Sequence, residues 1–273
     1  MHYVFNKSSI GYAHLKNKKP CQDYSASYKD NERIIVTCCD GHGGAQYVRS
    51  KVGSKLASDA VISVFRSLNS RLLNKQNKEE VYEKIKLLIL CEYNKLVERE
   101  LAKKPIRSRE LKGLKEEEID TLRFNPSKAY GTTLSGAMLF KDLYVVVSIG
   151  DTETLGIHKG ELIKLFDNTN DPAGNVTYSM CQEDVYQYLR VTIVDKNKLD
   201  GVLLCTDGLS SPYQSYKNFN KSFVRPNIKQ LLKSKSINDI DKSIEQIALS
   251  LGVGDDVSLS FILSDNTAMK YYK

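Results

Sequence analysis

The sequence predicts an α+β fold in which antiparallel sheets pack together and helices lie outside them. Three observations predict it. Two long stretches of helical periodicity come early and close together. A series of short strand-like segments joined by tight turns follows. The strand–helix–strand alternation of a parallel sheet is missing. A chain of 273 residues that is 41% hydrophobic and 27% charged can bury a full core without covalent staples. No shift in composition marks a linker. The whole chain, residues 1–273, is therefore read as one domain, with a helical and charged excursion at about 77–128 and a polar loop at about 167–187.

Arg33–Cys39 (RIIVTCC) is a β-rich run ending at Asp40. Gln46–Leu68 reads as a helix, because Val48, Val52, Leu56, Ala60, Val61 and Val64 fall on one stripe. Glu79–Ala102 reads as a second, with Val81, Ile85, Leu88, Ile89 and Leu96 at helical spacing. Pro105–Ala129 is charged and irregular and reads as a surface loop. From Tyr130 the period changes. Gly131–Phe140 and Leu143–Ile149 look like paired strands around Lys141-Asp142, and Leu155–His158 and Glu161–Phe166 like a hairpin around Lys159-Gly160. Asp167–Gln187 is polar, with Pro172 and Gly174, and reads as a loop. Leu189–Val194 and Val202–Thr206 read as strands, Ile228–Leu232 and Ile237–Leu251 as helices. Val257–Leu263 alternates apolar and polar residues and reads as a half-buried strand.

Several function classes drop out. No apolar run approaches the roughly 20 residues of a membrane span, and the first 20 residues lack the apolar core of a secretory signal. The six cysteines (Cys21, Cys38, Cys39, Cys91, Cys181 and Cys205) form no C-x-x-C pair, and most sit in apolar segments. Reduced, buried thiols in a cytoplasmic protein are expected. The net charge of +7 is spread out, densest from Lys103 to Lys115, and lacks the patterned basic face with interleaved aromatics of a nucleic-acid binder. A monomer with no nucleic-acid or membrane partner is expected.

The chemistry sits in acidic residues at strand ends. Asp40 lies in Asp40-Gly41-His42-Gly43-Gly44, Asp151 in Gly150-Asp151-Thr152, and Asp207 in Thr206-Asp207-Gly208. Asp255 and Asp256 follow Gly252-Val253-Gly254, and Asp23 closes Pro20-Cys21-Gln22-Asp23. Flanking glycines let the backbone approach a ligand closely. Carboxylates converging from distant sequence are what an oxygen-ligated Mg²⁺ or Mn²⁺ needs. Asp-Gly is also a common turn pair, and for Asp151 or Asp255 taken singly a turn or cap is the simpler reading. Asp40 differs, because a turn needs no histidine between glycines beside it.

The ordered set Pro20-Cys21-Gln22-Asp23, Asp40-Gly41-His42-Gly43-Gly44, Gly131-Thr132-Thr133, Gly150-Asp151-Thr152, Thr206-Asp207-Gly208 and Gly254-Asp255-Asp256-Val257-Ser258 resembles the metal-dependent protein phosphatases of type 2C, the PPM family. The segments span residues 20–258, and the Gln22-Asp23 pair looks like that of bacterial members. The resemblance implies a β-sandwich of two antiparallel sheets flanked by helices, with a binuclear Mn²⁺/Mg²⁺ centre at one end. In that scheme Asp40 bridges both metals and Gly41 offers its carbonyl to the second. Asp207 and Asp255 complete the first metal, with Asp256 a neighbour, and Asp23 holds metal-bound water. Asp151 and Asp207 form a weaker third site, and the Asp167–Gln187 loop is the flap beside the centre. Gly131-Thr132-Thr133 is structural, small residues under the site.

The implied activity is hydrolysis of phosphoserine and phosphothreonine in protein substrates. Two metals roughly 3.5–4 Å apart would share a water or hydroxide that attacks phosphorus in line. His42 would be the general acid that protonates the leaving oxygen, and no cysteine nucleophile is implied. His2, His14 and His158 read as ordinary surface residues. Three positions depart from the family pattern. Gln22 stands where animal members carry a metal-associated glutamate. Lys18 stands where many relatives place a phosphate-binding arginine, and lysine lacks the bidentate fork. Ser211 stands where some relatives have another acidic residue for the third metal. The alternative is a catalytically weak or inactive relative that binds phosphoproteins, set against it by the intact ligand set.

Overall fold

The structure is a computed structural model. It describes residues 2–166, 177–234, 236–251 and 254–272. The strands are β1 (His2–Ser9), β2 (Tyr24–Lys29), β3 (Arg33–Cys39), β4 (Leu134–Phe140), β5 (Leu143–Ile149), β6 (Glu153–His158), β7 (Glu161–Lys164), β8 (Arg190–Asp195), β9 (Gly201–Cys205) and β10 (Val257–Ser264). They form two five-stranded sheets, ordered β1-β10-β9-β6-β7 and β2-β3-β4-β5-β8, and every neighbouring pair is antiparallel. This is the α+β sandwich the sequence led us to expect.

The period of two along each strand builds the layers. In β3, Ile34, Val36 and Cys38 face the second sheet and meet Val202, Leu204 and Ile262. Ile35 and Cys39 face the other way, against the helix Ser50–Ser67 through Ala57, Val61 and Phe65 and the helix Lys78–Lys103 through Ile85 and Ile89. The outer face of the other sheet is covered by the C-terminal helices, with Phe219, Phe223, Ile228 and Ile244 on Leu259 and Phe261. Three apolar layers thus separate four layers of secondary structure.

Register decides where the acidic residues go. Tyr24 pairs with Cys39, Cys38 with Ser135 and Leu134 with Ile149, so Asp23, Asp40 and Gly150 all leave one sheet at the same end. In the other sheet Ser9 pairs with Val257, while Cys205 faces both Leu259 and Glu153. Asp255, Asp207 and Asp151 therefore gather at the matching end.

Four local expectations are corrected. The first long helix starts at Ser50, not Gln46, because Arg49 spends its N–H on Ala129 O at 2.9 Å and residues 46–49 run in turns. Within the expected Pro105–Ala129 loop a helix spans Glu116–Phe124, with one buried apolar anchor, Leu122. β10 is buried on both faces, not half-buried, because it lies between β1 and β9 with helices on one side and a sheet on the other. Its serines are satisfied inside: Ser260 Oγ donates to Thr37 O at 2.8 Å and Ser258 Oγ to Ser8 Oγ at 2.6 Å. β1 and β2 had no sequence assignment, since apart from Phe5 their side chains are only partly covered. Residues 167–176 of the expected loop, and Gly252 and Val253 before Asp255, lie outside the described residues; the loop's far end holds a short helix, Val185–Tyr188.

Candidate active site

Asp40 follows β3 directly, and its backbone is clamped. Its N–H donates to Thr133 Oγ1 at 2.9 Å, and its carbonyl accepts from Thr133 N–H and Thr132 Oγ1, each at 2.8 Å. Gly41 bridges to Thr132, which explains the small Gly131-Thr132-Thr133 segment beneath it. A Cβ on Gly41 would lie 2.6 Å from Gln22 O and 2.9 Å from Ser50 O, so only glycine fits the approach. Asp207 opens the short helix Asp207–Ser210 after β9. Asp151 and Asp255 each follow a glycine with positive φ, Gly150 at 87° and Gly254 at 89°, the left-handed geometry that glycine permits.

Asp40, Gly41, His42, Asp151, Asp207 and Asp255 line one cleft of about 480 Å³. Burial pushes the Asp40 carboxyl well above its ordinary range, and the charges of Asp23, Asp207, Asp151 and Asp255 add to it. Burial, then Asp151 and Asp255, raise Asp207 to about 6. Converging carboxylates with raised proton affinity call for a counter-charge, and a divalent cation is one that supplies it. Two further observations fit an ion there. Gln22 lines the same cleft, and its Oε1 is buried with no hydrogen-bond partner among the described residues. The donor set is mainly carboxylate and carbonyl oxygen, which suits Mg²⁺ or Mn²⁺.

His42 is anchored by its N–H to Gly131 O at 3.1 Å and tilts against Tyr47, with ring centroids 5.0 Å apart. Burial lowers its pKa and Asp151 pulls it back up. Asp151 is exposed and accepts from Thr177 Oγ1. Asp23 is buried outside the cleft lining; its Oδ2 accepts from Thr206 Oγ1 at 2.9 Å, and burial followed by Asp256 raises its pKa. Lys18 is exposed, has a φ of 53°, and is not among the lining residues.

His14 is the correction. Expected at the surface, its side chain is 13% exposed and lines the cleft. Its Nδ1 lies 2.9 Å from Asp256 Oδ2, and its Nε2 3.7 Å from Asp255 Oδ1. Asp256 lies outside the cleft lining, and its oxygens accept from Gly11 N–H at 2.8 Å and Gln22 N–H at 2.6 Å. Nothing near His14 in the chain signals this, since its partner is 242 residues away. His2 and His158 lie outside the cleft lining.

The chain belongs to the protein phosphatase 2C family, whose model matches residues 10–246. Among solved structures it is similar to a bacterial serine phosphatase (18% identity, 97% of this chain and 98% of that one, TM-score 0.62). It is also similar to the serine/threonine phosphatase Stp1 from Staphylococcus aureus (19%, 97% and 96%, TM-score 0.62). The catalytic domain of the serine threonine protein phosphatase PstP, solved in complex with two manganese ions, is a third (16%, 96% and 97%, TM-score 0.58). None of the curated proteins matches the chain.

Proposed function

We propose that this protein phosphatase hydrolyses phosphoserine and phosphothreonine in protein substrates, using two Mn²⁺ or Mg²⁺ ions. The observation that carries the reading is the convergence of Asp40, Asp207, Asp255 and Asp151 on one cleft, where burial and then neighbouring carboxylates raise Asp40 and Asp207. The PstP domain with two manganese ions supports the ion count.

Asp40 would serve both ions, Asp207 and Asp255 would hold the first, and the Gly41 carbonyl would help hold the second. Asp151 with Asp207 would offer a weaker third position. When bound, the ions would supply Lewis-acid charge that activates a water at neutral pH and offsets charge building on the phosphoryl oxygens. The chain's own groups do the rest. Thr132 and Thr133 fix the Asp40 backbone, so its carboxylate is held before substrate arrives. His42, wedged between Gly131 and Tyr47, would release a proton from Nε2 to the departing serine or threonine oxygen. Asp23 would act from behind the cleft by holding an ordered water. Lys18 would be the contact for the substrate phosphate, from outside the cleft lining. Among the described residues no helix is long and apolar enough to cross a membrane, and a monomeric cytoplasmic enzyme is our reading.

The test is phosphate release from matched phosphoserine, phosphothreonine and phosphotyrosine peptides, with Mn²⁺ or Mg²⁺ and then with chelator. Release from the first two that stops with chelator is expected. Metal-independent release, or release from phosphotyrosine alone, would overturn the reading.

A further inference from the structure

We propose that His14 Nε2 is a ligand to the ion held by Asp255, so that one position of the centre is bound by mixed nitrogen and oxygen donors. The inference rests on the two-ion reading above and concerns a residue which that reading does not use.

The short helix Tyr12–Lys16 is fastened to the Asp255 segment just before His14. Ala13 N–H donates to Gly254 O at 2.9 Å, and Gly11 packs so closely that a Cβ there would lie 2.1 Å from Asp255 O. The ring is therefore carried by backbone that cannot drift from the cleft. Its orientation is fixed as well. Asp256 Oδ2, which accepts from Gln22 N–H, lies 2.9 Å from His14 Nδ1 and takes up that nitrogen. Nε2 is the nitrogen left to the cleft, on the side of Asp255 Oδ1 at 3.7 Å. That separation suits two donors on one ion better than a hydrogen bond. Donor atoms of His14, Asp255 and Asp256 lie within 4.8 Å of one another.

A carboxylate that orients a histidine through one nitrogen while the other faces a metal is a recurring arrangement at metal centres. Here Asp256 orients, His14 binds and Asp255 binds. A His14 that grips substrate phosphate is the competing role, and it would leave bound Mn²⁺ without nitrogen modulation. An imidazole donor also favours Mn²⁺ over Mg²⁺, which prefers oxygen and water.

The test is electron spin echo spectroscopy of the Mn²⁺-loaded full chain, with calorimetric titration of Mn²⁺ and Mg²⁺ alongside. Wild type should show nitrogen modulation from a coordinated imidazole. The His14→Gln variant, folded by circular dichroism, should lose it and bind Mn²⁺ at least about tenfold more weakly, with a smaller loss for Mg²⁺. Should that variant fail to fold, wild type with ¹⁵N-labelled histidine still answers whether an imidazole is bound. Bound Mn²⁺ without nitrogen modulation, or modulation that persists in His14→Gln, overturns the His14 assignment and leaves the two-ion reading standing. No Mn²⁺ binding by wild type overturns both.

Discussion

Asp40 and Thr133 hold each other by a reciprocal pair of hydrogen bonds. Asp40 N–H donates to Thr133 Oγ1 at 2.9 Å, and Thr133 N–H donates to Asp40 O at 2.8 Å. The pair joins the ends of β3 and β4 and sets the direction in which the Asp40 carboxylate leaves the sheet. Thr133→Val removes the hydroxyl and strands the Asp40 N–H. A loss of about 1–3 kcal/mol is expected in urea unfolding of the metal-free protein, with weaker Mn²⁺ binding. Thr133→Ser, which keeps the hydroxyl, should stay close to wild type in both.

His42 is expected to matter most where the leaving group is poor. His42→Ala should lower turnover on a phosphothreonine peptide about 10²–10⁴-fold, the usual contribution of a positioned general acid. On an aryl phosphate, whose leaving oxygen needs little protonation, the loss should be much smaller. Equal losses on both substrates would remove His42 from that role.

The metal-free centre should be destabilised as pH rises. Asp207 has an ordinary value of 3.8 and is raised to about 6, so between these values the folded state binds more protons than the unfolded one. Its contribution is therefore favourable below 3.8 and lost as pH rises through about 6. In chelator, wild-type Tm should fall over that window, Asp207→Asn should lack part of the fall, and Mn²⁺ should restore wild type alone. A Tm in chelator that is flat over this range in both proteins would contradict the charge crowding.

Arg49 ties the helical excursion to the segment after the glycine loop. All five of its N–H groups are engaged, with Glu110 Oε1 at 2.8 Å, Glu110 Oε2 at 3.0 Å, Tyr130 Oη and Lys104 O at 2.6 Å, and Pro105 O at 3.0 Å. Its hydrogen bonds hold the Glu110 carboxyl below the ordinary 4.5, so that stability is present above 4.5 and lost as pH falls through the depressed value. Glu110→Gln should cost about 1–2 kcal/mol at neutral pH. Thermal melts from pH 7 to pH 3 should show the gap to wild type closing in acid.

The site was legible where its signal is local. Asp40-Gly41-His42 could be read because a histidine between glycines at a strand end has no structural purpose, and Asp207 because a carboxylate directly after an apolar strand stands out. The split between Asp255 and Asp256 came from the family pattern; in the structure Asp255 lines the cleft, while Asp256 accepts from Gly11 and Gln22. His14 was not legible, because its setting is made by a carboxylate at the far end of the chain. In the fold, β3 and the helix Lys78–Lys103 announced themselves through continuous apolar pattern. The helix Glu116–Phe124 did not, since one buried leucine carries no period.

The most direct measurement is Mn²⁺-dependent phosphate release from a phosphothreonine peptide by wild type and by Asp207→Asn, with both proteins shown to be folded. Wild-type release that requires Mn²⁺, together with loss of at least about 10²-fold in the variant, is the expected result. Release by Asp207→Asn equal to that of wild type would contradict an active centre built on the converging carboxylates.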